Sequence, residues 1–97
     1  MVAWSEPAKA DLHHIFEYIA RDSRHYAQEV VRELMAKAEI LHSLPRIGRV
    51  VPEINEETVR ELPVHAYRIL YEITGADVVI LTVVHKRREL RPEQIEK

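Results

Sequence analysis

Two apolar segments separated by a short turn place the strongest constraint on how this chain folds. Residues 67–73 and 78–84 are rich in β-branched and aromatic side chains, and a turn sequence containing Gly75 lies between them. Two such segments joined by a glycine-containing turn are typical of a β-hairpin. We therefore expect a central antiparallel hairpin whose successive side chains alternate between the faces of a sheet.

The turn also predicts a register for the hairpin. If Gly75 and Ala76 form the loop, Ile73 lies opposite Val78 and Arg68 lies opposite Val83. Arg68 then becomes a diagonal neighbour of His85 on the face that is not the core face, and a basic cluster, Lys86 to Arg88, follows as the strand ends. The same register directs three side chains of the first hairpin strand into the core: Tyr67, Ile69 and Tyr71.

Two amphipathic helices are predicted before the hairpin. In the first, Ser5 can cap the N-terminus, Pro7 fits the first turn, and the apolar periodicity ends near Asp22. In the second, Ser23 can cap the start and Pro45 ends the helix. We expect its apolar stripe to be packed in the core; the stripe comprises Ala27, Val30, Val31, Leu34, Met35, Ala38 and Leu41.

The remaining segments complete a small sheet. Residues 2–4 form a short extended segment that can join the hairpin, and residues 59–64 form a strand in which Pro63 indicates an edge or a strand end. The predicted fold is therefore α+β, with the element order β-α-α-β-β-β. An antiparallel helical hairpin packs on one face of a small, mainly antiparallel β-sheet, and the other face is expected to stay open.

Residues 45–57 are expected to be a connecting loop between the second helix and the sheet. The loop is long for a small domain, and long connections are often functional. Arg46 and Arg49 flank Gly48 within it. Two interpretations stay open at this point: the arginines surround a binding site for an anion, or they anchor the loop by hydrogen bonds.

The composition indicates one small globular domain. The chain has 97 residues, 46% of them hydrophobic and 31% charged, so we expect a single domain over residues 1–97 with a polar tail from about residue 91. Cysteine is absent, which excludes disulfides and thiolate metal sites, and the scattered histidines suggest neither a metal site nor a cofactor. Because the sequence shows no signal pattern and no apolar run of membrane length, we expect a cytoplasmic protein without a membrane partner.

The charge distribution argues against a protein that works mainly through phosphate contacts. Residues 1–57 carry 7 Lys and Arg against 10 Asp and Glu, and residues 58–97 carry 7 against 6. Domains that bind nucleic acids usually have a clear basic excess. Here the basic residues are concentrated only in the basic cluster.

Four short motifs follow one another along the chain. They are Pro-Arg-x-Gly-Arg at 45–49, Arg60-Glu61-Leu62, Tyr67-Arg68-Ile69-x-Tyr71 and Val84-His85-x-Arg87-Arg88-x-Leu90. In order and spacing they resemble the ParE branch of the RelE/ParE toxin superfamily of type II toxin-antitoxin systems. The resemblance covers essentially the whole chain. It implies a growth-inhibiting toxin that a cognate antitoxin neutralises in a hetero-oligomeric complex.

The resemblance implies two possible targets. RelE-type members cut messenger RNA on the ribosome, whereas characterised ParE members poison DNA gyrase without being nucleases. RelE-type chains carry lysines in or near the first hairpin strand and a tyrosine after the basic cluster. Here the corresponding strand, residues 58–62, offers only Arg60, and Glu93 best matches the tyrosine position. We therefore favour a gyrase poison over a ribonuclease, with an inactive or regulatory antitoxin-binding protein as a third alternative.

The candidate residues depend on that choice. A ribonuclease would use Arg68 and Arg87, which match phosphate-stabilising arginines of the RelE pattern, with His85 as acid or base. Simpler roles are also open: Arg68 can pair with Glu72, and His85 can cap the strand end. For contact with either target, the candidate residues are Arg60, Arg68, Lys86, Arg87 and Arg88.

The predicted fold also suggests how the antitoxin binds. Amphipathic helices leave a groove between them, and a small sheet has exposed edges that can receive a strand. We expect an antitoxin segment to place a helix in the groove and a strand along an edge, ordering as it binds. Apolar residues on the open face should enlarge this interface: Leu70, Val79, Leu81 and Val83.

Overall fold

The computed structural model describes residues 1–88 and 90–95, and it confirms the predicted α+β architecture. A short strand inside the predicted loop of residues 45–57 is an addition to the expected order. The elements are β1 Val2–Trp4, α1 Glu6–Ala20, α2 Arg24–Ile40, β2 Arg49–Val50, β3 Val59–Val64, β4 Tyr67–Thr74, β5 Asp77–His85 and a 3-10 turn Pro92–Gln94.

The helices begin where their capping residues predict. The Ser5 hydroxyl accepts a hydrogen bond from the Ala8 amide at 3.1 Å, and the Ser23 hydroxyl accepts one from the Tyr26 amide at 3.0 Å. Most of the predicted stripe of α2 is buried. Val31 is only partly buried and is not part of the core cluster, so its assignment to the core, like that of Met35, was wrong. Met35 is half exposed. Met35 lies at the margin of the apolar stripe, where helical periodicity alone does not distinguish core positions from positions on the outer surface of the helices.

The strands form one five-stranded sheet in the order β1-β5-β4-β3-β2. The N-terminal segment does join the hairpin, since β1 pairs with β5 in parallel, and the other neighbours are antiparallel. The β2 strand pairs only with Arg60 and Glu61 of β3. Pro63 therefore lies beyond β2, near the end of β3, as its missing N–H requires.

The register of the hairpin matches the prediction only near the turn. Ile73 lies opposite Val78, but a bulge at Leu81 shifts the pairing, so that Arg68 lies opposite Val84 and not Val83. Beyond the bulge, the β5 side chains exchange faces relative to the prediction. His85 consequently lies opposite Tyr67, on the other face from Arg68, and the predicted proximity of Arg68 and His85 was wrong.

Polar contacts to the start of the chain hold this bulge. The Ser5 hydroxyl donates to the Leu81 carbonyl at 3.0 Å. The Asp11 carboxylate of α1 accepts hydrogen bonds from the Thr82 hydroxyl and from the Val83 amide, the latter at 2.9 Å. Because β1 pairs with β5 only as far as Ile80, the backbone groups of β5 beyond that residue have no strand partner on this side. The side chains of Ser5 and Asp11 supply their hydrogen bonds instead. Every residue from 78 to 84 except Thr82 is apolar, so the sequence pattern carries no sign of the shift.

The face of the sheet under the helices carries the larger core. Ile69 and Tyr71 are fully buried there, and Tyr67 packs against it partly buried, as predicted. Its other members come from both helices and the neighbouring strands: Ala8, Ile15, Val30, Leu34, Ala38, Leu41, Val64, Ile73, Val78, Ile80 and Val83.

The opposite face is not open, which corrects the prediction. Leu70 and Leu81 are buried there beneath residues from the loop before β3 and from the C-terminal segment. Leu90 and Ile95 cover this face, although Ile95 belongs to the tail that was expected to be polar. The apolar surface that we expected to be available to the antitoxin is therefore filled from within the chain. The full cluster is Val51, Val59, Leu70, Leu81, Val84, Leu90 and Ile95.

Candidate functional site

The basic cluster forms an exposed turn after β5. The Lys86 amide donates to the Ala66 carbonyl at 2.7 Å, and the Arg88 amide donates to the His85 carbonyl at 3.0 Å. All three side chains of the cluster are exposed. Within residues 1–88 and 90–95, no carboxylate pairs with them. The cluster therefore presents its positive charge to solvent.

Arg68 is held in a buried ion network on the face away from the helices. Its side chain is only 10% exposed, and that of Glu61 only 3%. The two terminal nitrogens of Arg68 bind two carboxylates, with Nη1 2.6 Å from Glu61 Oε1 and Nη2 2.5 Å from Glu53 Oε2. Nη2 also donates to the Arg88 carbonyl at 3.1 Å. These partners replace Glu72, the partner expected from the sequence.

The network extends to the edge of the sheet through Arg49. The Nε of Arg49 lies 2.5 Å from Glu61 Oε2, so Glu61 bridges an exposed and a buried arginine. Two clefts adjoin this bridge, with volumes of about 490 and 410 Å³, and three side chains line both: Arg49, Arg68 and Lys86. The ion network and the basic cluster thus belong to one continuous surface.

The network stabilises the charged forms of its members. The hydrogen bond from the Arg68 guanidinium holds the pKa of Glu53 below its usual value, against the opposing effect of burial. The bond to Glu53 likewise raises the pKa of Arg68. Arg68 is therefore a permanent cation, but its charge is already compensated by the carboxylates of Glu53 and Glu61.

His85 has a local role at the end of β5. Its Nδ1 accepts a hydrogen bond from the Arg87 amide at 3.2 Å, as expected for a histidine that caps a strand end. Its ring meets the Tyr67 ring edge to face, with centroids 5.7 Å apart. The Nδ1 atom is therefore engaged with the backbone of the turn.

Arg60 lies apart from the other predicted contact residues. It is adjacent to Glu61 in β3, so its side chain is on the face opposite Arg68. Its guanidinium donates to the Gly48 carbonyl at 3.0 Å and pairs with Glu57. Arg46 also pairs with Glu57, and Arg49 pairs with Glu61. The arginines around Gly48 therefore anchor the loop, which supports that interpretation over an anion site.

The described residues hold neither a metal site nor a membrane-spanning helix. No group of three or more His, Asp or Glu residues within 1–88 and 90–95 is arranged to hold a metal ion. In the same part of the chain, no helix is long and apolar enough to cross a membrane.

Sequence reasoning missed the carboxylates that define the site. Glu61 lies opposite Leu70 and diagonal to Arg68 across the β3–β4 pair. A prediction of the register between these two strands would therefore have placed the two charges side by side. Glu53 carries no such signal, because it comes from an irregular loop whose path the sequence pattern does not specify. The acidic half of the site was therefore only partly accessible to prediction.

A family model now decides the classification. The model of the ParE toxin of the type II toxin-antitoxin system parDE matches residues 2–90. The chain belongs to the ParE toxin family. It is thus a ParE-type toxin of a toxin-antitoxin system, as its motifs and their order indicated.

Solved structures agree with the ParE fold. A chain from a structure of the chromosomal ParDE toxin-antitoxin system of P. aeruginosa is 21% identical, with a TM-score of 0.72, covering 87% of this chain and 92% of that one. A chain from the RelBE2 toxin-antitoxin complex of Mycobacterium tuberculosis is 26% identical, with a TM-score of 0.50, covering 89% and 96%. No curated protein matched the sequence.

Proposed function

We propose that this ParE family member inhibits growth in the cytoplasm by poisoning DNA gyrase, that it is not a nuclease, and that a cognate antitoxin neutralises it. The observation that carries the proposal is the state of Arg68. Both terminal nitrogens of its guanidinium are bound by Glu53 and Glu61, and His85 lies on the other face of the sheet.

The chemistry of RNA cleavage explains why this observation matters. A nuclease without a metal must activate a 2′-hydroxyl, stabilise negative charge on the phosphorane and protonate the leaving oxygen. Here the arginine that matches a phosphate-stabilising position is neutralised by Glu53 and Glu61, and the histidine does not converge with it. This arrangement favours a toxin that acts by binding its target.

Purified protein tests the proposal directly. Incubated with gyrase, ATP and supercoiled plasmid, the toxin should cause cleaved DNA to accumulate. Substituting Arg87→Ala and Arg88→Ala together should weaken this effect, because exposed cations orient encounters with a target. The control Lys9→Ala with Lys37→Ala removes two exposed cations from the helices and should leave the effect unchanged. Cleavage of messages on translating ribosomes, with gyrase unaffected, would reverse the proposal.

One observation favours a second candidate function. The likeness to a chain of the RelBE2 complex, at 26% identity and a TM-score of 0.50, supports a ribosome-dependent endoribonuclease as the alternative. In that case Arg68, His85 and Arg87 would carry the chemistry, and Arg68 would first have to exchange a carboxylate for a phosphate. Substituting His85→Gln would then reduce cleavage on the ribosome, whereas a gyrase poison should keep its activity.

For the antitoxin, we propose that a helix binds the outer surface of the helical hairpin and that a strand adds to a sheet edge. A depression of about 540 Å³ on the helices is lined by Phe16, Gln28, Val31, Arg32 and Met35. Tyr18 and Tyr26 are also exposed on these helices. The sheet ends in β1 and β2, of three and two residues, so its edges are short. The groove should therefore provide most of the binding energy.

A pair of substitutions on α2 tests the groove. Met35→Glu places a charge among the apolar groove residues and should weaken antitoxin binding roughly tenfold or more. Ala36→Glu introduces the same charge at the next exposed position of the helix and should have little effect. Substituting Arg87→Ala and Arg88→Ala together should leave the complex largely intact at moderate salt. Equal losses for Met35→Glu and Ala36→Glu would contradict the assignment of the groove.

A further inference from the structure

The carboxylate of Glu53 binds the guanidinium of Arg68 through both of its oxygens. Its Oε2 lies 2.5 Å from Nη2, and its Oε1 lies 3.3 Å from Nη1. Two oxygens facing the two terminal nitrogens of a guanidinium is the geometry in which arginine also binds a phosphate group. Glu53 thus stands where two phosphate oxygens would otherwise bind.

The surroundings of this contact are strongly cationic. Among residues 1–88 and 90–95, five cationic residues and a single carboxylate, that of Glu53, line the cleft of about 410 Å³ beside the basic cluster. The other lining residues are Pro52 and Leu90, and the cations are Arg49, Arg68, Lys86, Arg87 and Arg88. Removing the charge of Glu53 would leave only neutral or positive side chains among the described residues that line this cleft.

The two carboxylates on Arg68 are not equivalent. Glu61 is in β3, its side chain is 3% exposed, and it also binds Arg49. Glu53 is in the loop before β3, its side chain is 22% exposed, and its further hydrogen bond, from the Leu90 amide, is long at 3.4 Å. Glu61 is therefore a fixed part of the sheet, whereas Glu53 is the partner that a competing anion can replace.

We propose that Glu53 is an internal counterion that occupies a latent phosphate-binding site formed by Arg68 and the basic cluster, and that it keeps phosphate groups off the Arg68 guanidinium. The Nε of Arg68 is buried and has no hydrogen-bond partner among residues 1–88 and 90–95, so the guanidinium retains an unused donor. The proposal concerns the selectivity of the cleft, and it does not depend on which target the toxin inhibits.

Binding of inorganic phosphate to purified variants tests the proposal. Glu53→Gln keeps the shape of the side chain and removes its charge, and it should bind phosphate roughly tenfold more tightly than the unsubstituted protein. Glu57→Gln is the matched control, because it removes one carboxylate from the same loop where that residue pairs with Arg46 and Arg60. The control should change phosphate affinity less than about twofold. Adding Arg68→Gln to Glu53→Gln should abolish the gain.

A short single-stranded RNA without terminal phosphates provides a second probe. A gain for Glu53→Gln with either probe supports the proposal, and the stronger response identifies free phosphate or a nucleic-acid backbone as the better ligand. Equal gains for Glu53→Gln and Glu57→Gln would overturn the proposal, since they would reflect net charge alone. No gain with either probe would overturn it as well.

A measurement on the unsubstituted protein keeps the proposal testable if Glu53→Gln fails to fold. During a phosphate titration followed by NMR, the arginine Nε–H resonances of Arg87 and Arg88 should shift because these side chains are exposed. The Nε–H resonance of Arg68 should stay in place because Glu53 holds its guanidinium. A shift of the Arg68 resonance as large as that of Arg87 would show an open site and overturn the proposal.

Discussion

The two faces of the sheet are closed by different physical means. Under the helices, the core is made of aliphatic side chains and the ring of Tyr71, so burial of apolar area stabilises it. On the opposite face, a smaller apolar cluster lies beside the network of Arg68, Glu61 and Glu53. A face closed by ion pairs is sensitive to the loss of a single charge, whereas a purely apolar face responds mainly to volume.

Breaking the ion network should have the largest effect on stability. Arg68→Met leaves Glu61 buried with Arg49 as its one remaining ion-pair partner among the described residues, and it should lower the free energy of unfolding by about 4 kcal/mol. Arg49→Met removes a cation whose side chain is 73% exposed, so its cost should stay below about 1 kcal/mol. Urea unfolding of both variants measures the difference. Similar losses of stability for the two variants would show that removing the buried arginine costs no more than removing the exposed one.

A cavity on the helical face should cost somewhat less. Leu34 of α2 is fully buried against the sheet, and Leu34→Ala should lower the free energy of unfolding by about 3 kcal/mol. Because no charge is involved, the loss should be nearly independent of salt. The same urea titrations at low and high salt distinguish the faces, and a strongly salt-dependent loss for Leu34→Ala would contradict the comparison.

Gly48 packs against the Tyr71 hydroxyl of the helix-facing core and against the backbone of Glu61. Substituting it should have a moderate effect on stability. Its amide donates to the buried Tyr71 hydroxyl at 3.0 Å, and burial raises the pKa of that tyrosine. A Cβ at this position would lie 2.6 Å from the Tyr71 oxygen and would also collide with the Glu61 carbonyl. Gly48→Ala should therefore displace β2 and cost about 2 kcal/mol in thermal or urea unfolding. If Gly48→Ala left the free energy of unfolding unchanged, β2 would be able to shift without cost.

The smallest expected effect is a pH dependence confined to the charged face. The folded pKa of Glu53 lies below its unfolded value near 4.5, so its contribution to stability is present above that value and is lost as the pH falls through the folded pKa. Glu53→Gln should therefore lose less stability than the unsubstituted protein as the pH falls below about 4.5. Parallel pH profiles for the two proteins would contradict this linkage.

The comparison of faces also explains which predictions from sequence succeeded. Capping by Ser5 and Ser23 and the turn at Gly75 are local signals, and the structure confirms the elements that they predicted. The burial of Leu90 and Ile95 depends on the path of the chain after the last strand, which periodicity does not encode. The roles of the predicted contact residues remain predictions, because Arg68, Arg87 and Arg88 can be identified by motif but their target cannot.

The bulge at Leu81 has a consequence at the level of the gene. Because Leu81 is the residue of β5 that has no partner in β4, deleting its codon would remove the bulge and keep the pairs on either side of it. His85 would stay opposite Tyr67, on the other face from Arg68, and Val84 would stay opposite Arg68. An in-frame deletion of one codon would thus remove a buried leucine and keep the arrangement of acid-base and cationic groups on the surface.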